Sequence, residues 1–126
     1  MSRILVIDDE AMARTVMETV LKRAGHSVRC EKDGQAGLAA FMRETPDLVI
    51  TDIIMPEKEG IETIRSIRKL DPSVPILAIS GGGRAANTDF LPLAEKFGAN
   101  GTLAKPFSTN ALLNAVRTAL PTAASS

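Results

Sequence analysis

Five side chains of this sequence could do chemistry together: Asp8, Asp9, Asp52, Ser80 and Lys105. Asp52 closes the run Leu48-Val49-Ile50-Thr51-Asp52, with Ile53-Ile54-Met55-Pro56 behind it. A short apolar run suits a buried strand, and a carboxylate at its carboxyl end stands where open α/β sheets place ligands. Asp8 and Asp9 close a second such run, Ile4-Leu5-Val6-Ile7. Three carboxylates in one crevice repel each other. Without a cation, at least one keeps its proton and the set titrates as a coupled unit. A hard divalent ion removes the conflict, Mg²⁺ first and Mn²⁺ as the alternative. Ser80 follows Ile76-Leu77-Ala78-Ile79 and offers a hydroxyl; Lys105 follows Thr102-Leu103-Ala104 and offers a positive charge. A carboxylate nucleophile, a metal, an ammonium and a hydroxyl make a phosphoryl-transfer site. In it the metal and Lys105 neutralise the phosphoryl oxygens while Asp52 attacks in line.

Each residue alone has a plainer reading. Asp52 could form a turn before Pro56, and Asp8 or Asp9 could complement a helix dipole. Ser80 could be a strand-end hydroxyl and Lys105 a surface lysine. The conjunction favours chemistry, because all five follow predicted strands at the same end of a sheet.

That convergence requires strands and helices to alternate. From Met12, the apolar residues Met12, Ala13, Val16, Met17, Val20, Leu21 and Ala24 mark one helical face, and Gly25 is the stop. Ser27 to Glu31 alternates like an edge strand. Asp33 can cap a second helix through Glu44, with Leu38, Phe41 and Met42 buried and Pro46 as the break. Pro56 and Gly60 bracket a loop before a third helix striped by Ile61, Ile64 and Ile67, which ends at Asp71-Pro72. A fourth helix is predicted from Thr88 or Asp89, with Pro92 in its first turn, Leu93, Ala94 and Phe97 as its cover and Gly98 as its stop. Ser108 caps the last helix, striped by Leu112, Leu113, Val116 and Leu120 and ended by Pro121. Five strand–helix units predict an α/β, flavodoxin-like, doubly wound parallel sheet of order 2-1-3-4-5. Strands one and three then flank its switch point and bring Asp8, Asp9 and Asp52 into one crevice.

With 126 residues the chain predicts one domain, residues 1–121, and a short polar tail, residues 122–126. Lys plus Arg equals Asp plus Glu at 15 each, so no basic field draws nucleic acid or acidic lipid. Four Phe and no Trp or Tyr give no platform for stacking bases. Cys30, the single cysteine, reads as an inert strand thiol and fits a reducing compartment. His26 reads as a solvated loop residue. No apolar run reaches transmembrane length and no signal-peptide pattern opens the chain. These features predict a cytoplasmic protein with neither a nucleic-acid nor a membrane partner.

From Arg3 to Leu120 the chain resembles the receiver domain of two-component response regulators, the fold of the chemotaxis regulator. Asp8-Asp9, Asp52 with Met55-Pro56 and Gly60, Ser80, and Lys105-Pro106-Phe107 carry the resemblance. It implies that Asp52 takes a phosphoryl group from a phosphohistidine, on a sensor histidine kinase or a histidine phosphotransfer protein. It implies Mg²⁺ bound directly by Asp9, Asp52 and the Ile54 backbone carbonyl, with Asp8 holding a metal-bound water. Ser80 and Lys105 would hold the phosphoryl oxygens, and the Lys105-Pro106 bond would be cis. Phosphorylation would shift the conformational population, moving Ser80 and an aromatic residue of strand five. The protein would catalyse only its own phosphorylation and dephosphorylation, so it would not be a turnover enzyme.

This chain departs from the family in three places. Thr102 stands at the aromatic switch position. The loop after Ser80 is longer than usual and carries Gly81-Gly82-Gly83-Arg84, a flexible connector or else a contact loop. Ile54 and Gly82 occupy positions where receivers often place polar groups that help water attack, so slow self-dephosphorylation is expected. With no output domain in view, the expected form is a stand-alone receiver acting through an unidentified downstream protein. It would be a monomer at rest, with a phosphorylation-linked dimer through the last two helices as the alternative. A rival reading is a phosphorylation-independent interaction module, which the missing aromatic favours. A metal-dependent phosphatase would need a second acid two residues after Asp52, where Ile54 stands.

Overall fold

In the computed structural model, which describes residues 2–53, 59–80, 95–96 and 98–120, the apolar runs are the centre of the sheet. The strands are β1 (Arg3–Ile7), β2 (Ser27–Glu31), β3 (Leu48–Asp52), β4 (Ile76–Ser80) and β5 (Gly101–Ala104). All pair in parallel, in the order β2-β1-β3-β4-β5. Every residue of β3 is buried, and so is all of β1 past Arg3. A strand achieves this only between neighbours in a sheet covered on both faces.

The covers are α1 (Ala11–Arg23), α2 (Gly34–Arg43), α3 (Glu59–Leu70) and a final helix, α4 (Thr109–Ala119). Alternate strand residues feed two cores. Leu5, Ile7, Val49 and Ala78 pack with Phe41, Ile64 and Ile67 of α2 and α3. Ile4, Val6, Ile50, Leu77 and Ile79 pack with Met17 and Leu21 of α1 and Leu112 and Val116 of α4. The helix ends follow their sequence signals. Asp33 accepts from Ala36 N at 2.7 Å, and Ser108 Oγ from Ala111 N at 3.0 Å. Gly25, at φ +99°, closes α1 in a Schellman motif: its N–H bonds Lys22 O, and His26 N–H bonds Leu21 O.

Four residues expected on buried helix faces are on the surface instead, among them Ala24, the C-cap of α1. Met12 and Val16 are exposed, because α1 seats through Ala13, Met17, Val20 and Leu21, about 100° round the helix. Met42 is exposed because α2 lies on its small face. Gly34, Gly37 and Ala40 bring that helix so close that a Cβ on Gly37 would stand 2.4 Å from Ile7 Cδ1. Gly60, expected in a loop, is the second residue of α3.

At the amino ends of the strands, Arg68 ties α3 to the sheet. Its guanidinium donates to Gly98 O at 3.0 Å, Asp71 O at 3.1 Å, Val74 O at 2.6 Å and Asn100 Oδ1 at 2.7 Å. The predicted fourth helix lies outside the described residues, apart from helical Glu95 and Lys96 and the turn at Gly98. Ile54, Met55, Pro56, the Gly81-Gly82-Gly83-Arg84 loop, Pro121 and the tail also lie outside them, as does the Ser80 side chain.

Candidate functional site

The register that buries β1 and β3 also joins their carboxyl ends. Ile7 pairs with Thr51, so the next residues along, Asp8 and Asp52, emerge side by side. Asp8 is fully buried and Asp52 is 3% exposed, while Asp9 stands in solvent. One carboxylate oxygen from each of Asp8, Asp9 and Asp52 lies within 4.8 Å of the others. The peptide of Asp52 is held from behind by α3. A Cβ on Gly60 would stand 2.5 Å from Asp52 O and 2.3 Å from Ile53 Cα, so only glycine allows this approach.

Asp8 is bonded at every polar group. Its N–H donates to Glu31 O at 3.1 Å and its carbonyl accepts from Arg14 Nη1 at 2.8 Å. Oδ1 accepts from Glu10 N at 2.9 Å, and Oδ2 from Lys105 Nζ at 2.8 Å. Lys105 comes from the far side of the sheet, just past β5, on a cis bond to Pro106. Its ammonium also donates to Glu10 Oε1 at 3.0 Å and Asp52 Oδ2 at 3.2 Å. Burial pulls the Lys105 pKa down. The hydrogen bond to Asp8 and the charges of Asp52 and Asp8 outweigh it, so the net shift is upward. Lys105 is therefore a fixed cation at any ordinary pH.

The sequence-predicted Asp8, Asp9, Asp52 and Lys105 thus stand together. Ser80 ends β4 opposite Ala104, one position past the residue that faces Asp52. Ile54 and Pro56 lie outside the described residues. Glu10 was missed: it follows two acids already assigned to the site, and its reach to Lys105 depends on the turn into α1. Thr102 pairs with Ala78 and lines a cavity of about 300 Å³ between β5 and α4.

Three carboxylates and no nitrogen or sulfur donor suit a hard, oxygen-seeking ion, so the residues present fit Mg²⁺. Elsewhere the chemistry is quiet. Cys30 is half-buried, and its thiol is pushed up to about 11 by burial and by the charge of Glu18. His26 is partly buried and accepts from Ser2 N at 3.3 Å. A cleft of about 530 Å³ opens at the opposite end of β1 and β2, where Arg3 pairs with Glu44. Among the described residues, no helix is long and apolar enough to cross a membrane.

Known proteins share this sequence pattern and fold. The response regulator receiver domain matches residues 4–117. Chemotaxis protein CheY of Thermotoga maritima is 33% identical over 115 residues, covering 90% of this chain and 93% of that protein. Alkaline phosphatase synthesis transcriptional regulatory protein SphR of Synechococcus elongatus is 34% identical over 128 residues, covering 94% of this chain and 49% of that protein. The chain spans about half the length of such transcriptional regulators. The receiver domain of NtrX from Brucella abortus superposes with a TM-score of 0.86 at 33% identity, covering 93% of this chain and 97% of that one. Sheet order, clustered carboxylates and family match agree, and the chain belongs to the response regulator receiver domain family.

Proposed function

We propose that this receiver takes a phosphoryl group on Asp52 from the phosphohistidine of a sensor histidine kinase or a histidine phosphotransfer protein. The observation that carries the reading is the Lys105 ammonium, which bridges the buried carboxylates of Asp8 and Asp52. An Asp52 oxygen attacks phosphorus in line. The phosphorus–nitrogen bond of the donor breaks, and the imidazole leaves with the electron pair and takes up a proton. Lys105, anchored on Asp8, donates to a phosphoryl oxygen, and the Ser80 hydroxyl donates to another. Asp8, Asp9, Asp52 and the Ile54 carbonyl would hold Mg²⁺, which when bound would spread the charge of the transferring group.

The reaction changes the protein itself and turns over no external substrate. Output passes through contact with a second protein in the cytoplasm, with the chain acting as a single receiver unit. Similarity to a chemotaxis protein supports output by contact with a second protein. Thr102 favours a second reading, in which the surface of β5 and α4 binds its partner without phosphorylation, because no aromatic side chain there can follow Ser80.

Borohydride trapping tests the acceptor. After treatment with phosphoramidate and Mg²⁺, reduction should convert residue 52 to homoserine in peptide mapping. Homoserine at another position, or at none, would contradict the assignment.

A further inference from the structure

Lys105 has no N–H to spare. An ammonium carries three donors, and its three partners are Asp8 Oδ2 at 2.8 Å, Glu10 Oε1 at 3.0 Å and Asp52 Oδ2 at 3.2 Å. A phosphoryl oxygen that Lys105 is to hold must therefore displace a carboxylate. The three are not equal. The side chains of Asp8 and Asp52 are 0% and 3% exposed, and that of Glu10 is 65% exposed. Releasing a buried carboxylate strands a charge away from water, whereas a released Glu10 is simply rehydrated. Glu10 is the partner that yields.

Its place in the chain agrees. Glu10 is the N-cap of α1, but its side chain makes no capping bond there. Its backbone N–H is tied to Asp8 Oδ1 at 2.9 Å, which fixes the residue beside the site while the carboxylate extends to Lys105. That side chain serves the lysine and not the helix.

Resting on the phosphoryl-acceptor reading, the geometry points to Glu10 as a positioning residue that holds Lys105 between its two duties. A cation held by Asp8, Asp9 and Asp52 would compete with Lys105 for those carboxylates. Glu10 gives the displaced ammonium a neighbouring seat, which eases cation binding. An arriving phosphoryl oxygen then draws the ammonium back toward Asp52 and off Glu10, so the same contact slows phosphorylation. One carboxylate thus favours loading of the site and restrains its reaction.

The test is Glu10→Gln, alone and combined with Lys105→Met, read by Mg²⁺ calorimetry and by the acetyl phosphate reaction at saturating Mg²⁺. With Lys105 present, Glu10→Gln should weaken Mg²⁺ binding about two- to fivefold, the size of an exposed ion pair, and speed phosphorylation by a similar factor. With Lys105→Met, the change at Glu10 should leave Mg²⁺ affinity the same within about twofold. Equal losses in both backgrounds would overturn the inference, since the charge would then act through space and not through Lys105. So would an unaltered Mg²⁺ affinity or rate in the single variant. If Lys105→Met does not fold, the ammonium ¹H–¹⁵N signal reads the contact directly. In Mg²⁺ it should persist in wild type and be lost to water exchange in Glu10→Gln; equal persistence in both would overturn the inference. Wild type that takes no phosphoryl group sinks the acceptor reading, while the Mg²⁺ comparison still judges the contact.

Discussion

Lys105 Nζ lies 3.2 Å from Asp52 Oδ2, across 53 residues of sequence. The contact spans the sheet from beyond β5 to the end of β3, with β4 between them. It exists because all the strands run parallel and deliver their carboxyl ends to one edge. Cation and carboxylate are thus fixed by the most buried part of the fold.

The backing of Asp52 by Gly60 makes one position unusually intolerant. Gly60→Ala forces a Cβ against backbone on the Asp52–Ile53 side, where nothing can rotate away. It should cost about 3 kcal/mol in urea unfolding, the upper range for overpacking. Gly25→Ala has open space around it and only a positive φ to overcome, so it should cost about 1 kcal/mol. Equal costs would contradict this packing.

Arg68 should matter for stability and not for the site. Arg68→Ala takes the guanidinium donor from three backbone carbonyls and one of two donors from Asn100 Oδ1, which keeps the Ile76 N–H. A loss of about 2–4 kcal/mol is expected, with Mg²⁺ affinity unchanged, and Arg68→Lys should not restore it because the planar fork is gone. Full rescue by lysine would show that charge alone suffices.

Cys30 should be nearly inert. Its thiol titrates at about 11 against an ordinary 9.0. At pH 8 the native protein should react with iodoacetamide about 100-fold more slowly than the urea-unfolded chain. The folded form keeps its proton where the unfolded form has lost it. Its contribution to stability therefore falls as pH rises from 9.0 toward about 11, and Cys30→Ala should remove that contribution, leaving the fall that Lys105 adds above 10.5. Equal alkylation rates would contradict the burial.

Ile54 should set the phosphoryl lifetime. Neither Ile54 nor Gly82 can orient an attacking water, which predicts slow self-dephosphorylation. Ile54→Asn supplies an amide and should shorten the half-life several-fold, by about 1 kcal/mol of barrier. A half-life that hardly moves would count against this role.

The strands and their terminal carboxylates were legible because a buried parallel strand reads as an unbroken apolar run, as in Ile4 to Ile7 and Leu48 to Ile50. Helix faces were less so. The exposure of Met42 depends on how tightly Gly37 lets α2 approach Ile7, a distance that periodicity does not encode. Gly60 read as a loop residue because a helical glycine tight against another backbone has no local signature. Arg68 and Glu10 find their partners at Asn100 and Lys105 through the tertiary fold alone. A third consecutive acid, one more than capping and metal binding need, was the only trace of Glu10.

Asp52 should be a Mg²⁺-dependent phosphoryl acceptor. Intact mass after incubation with acetyl phosphate tests it most directly, with and without Mg²⁺, for wild type and Asp52→Asn. Wild type with Mg²⁺ should gain one phosphoryl group, with none gained without the metal or in the variant. An equal gain in Asp52→Asn, or no gain in wild type that binds Mg²⁺, would contradict it.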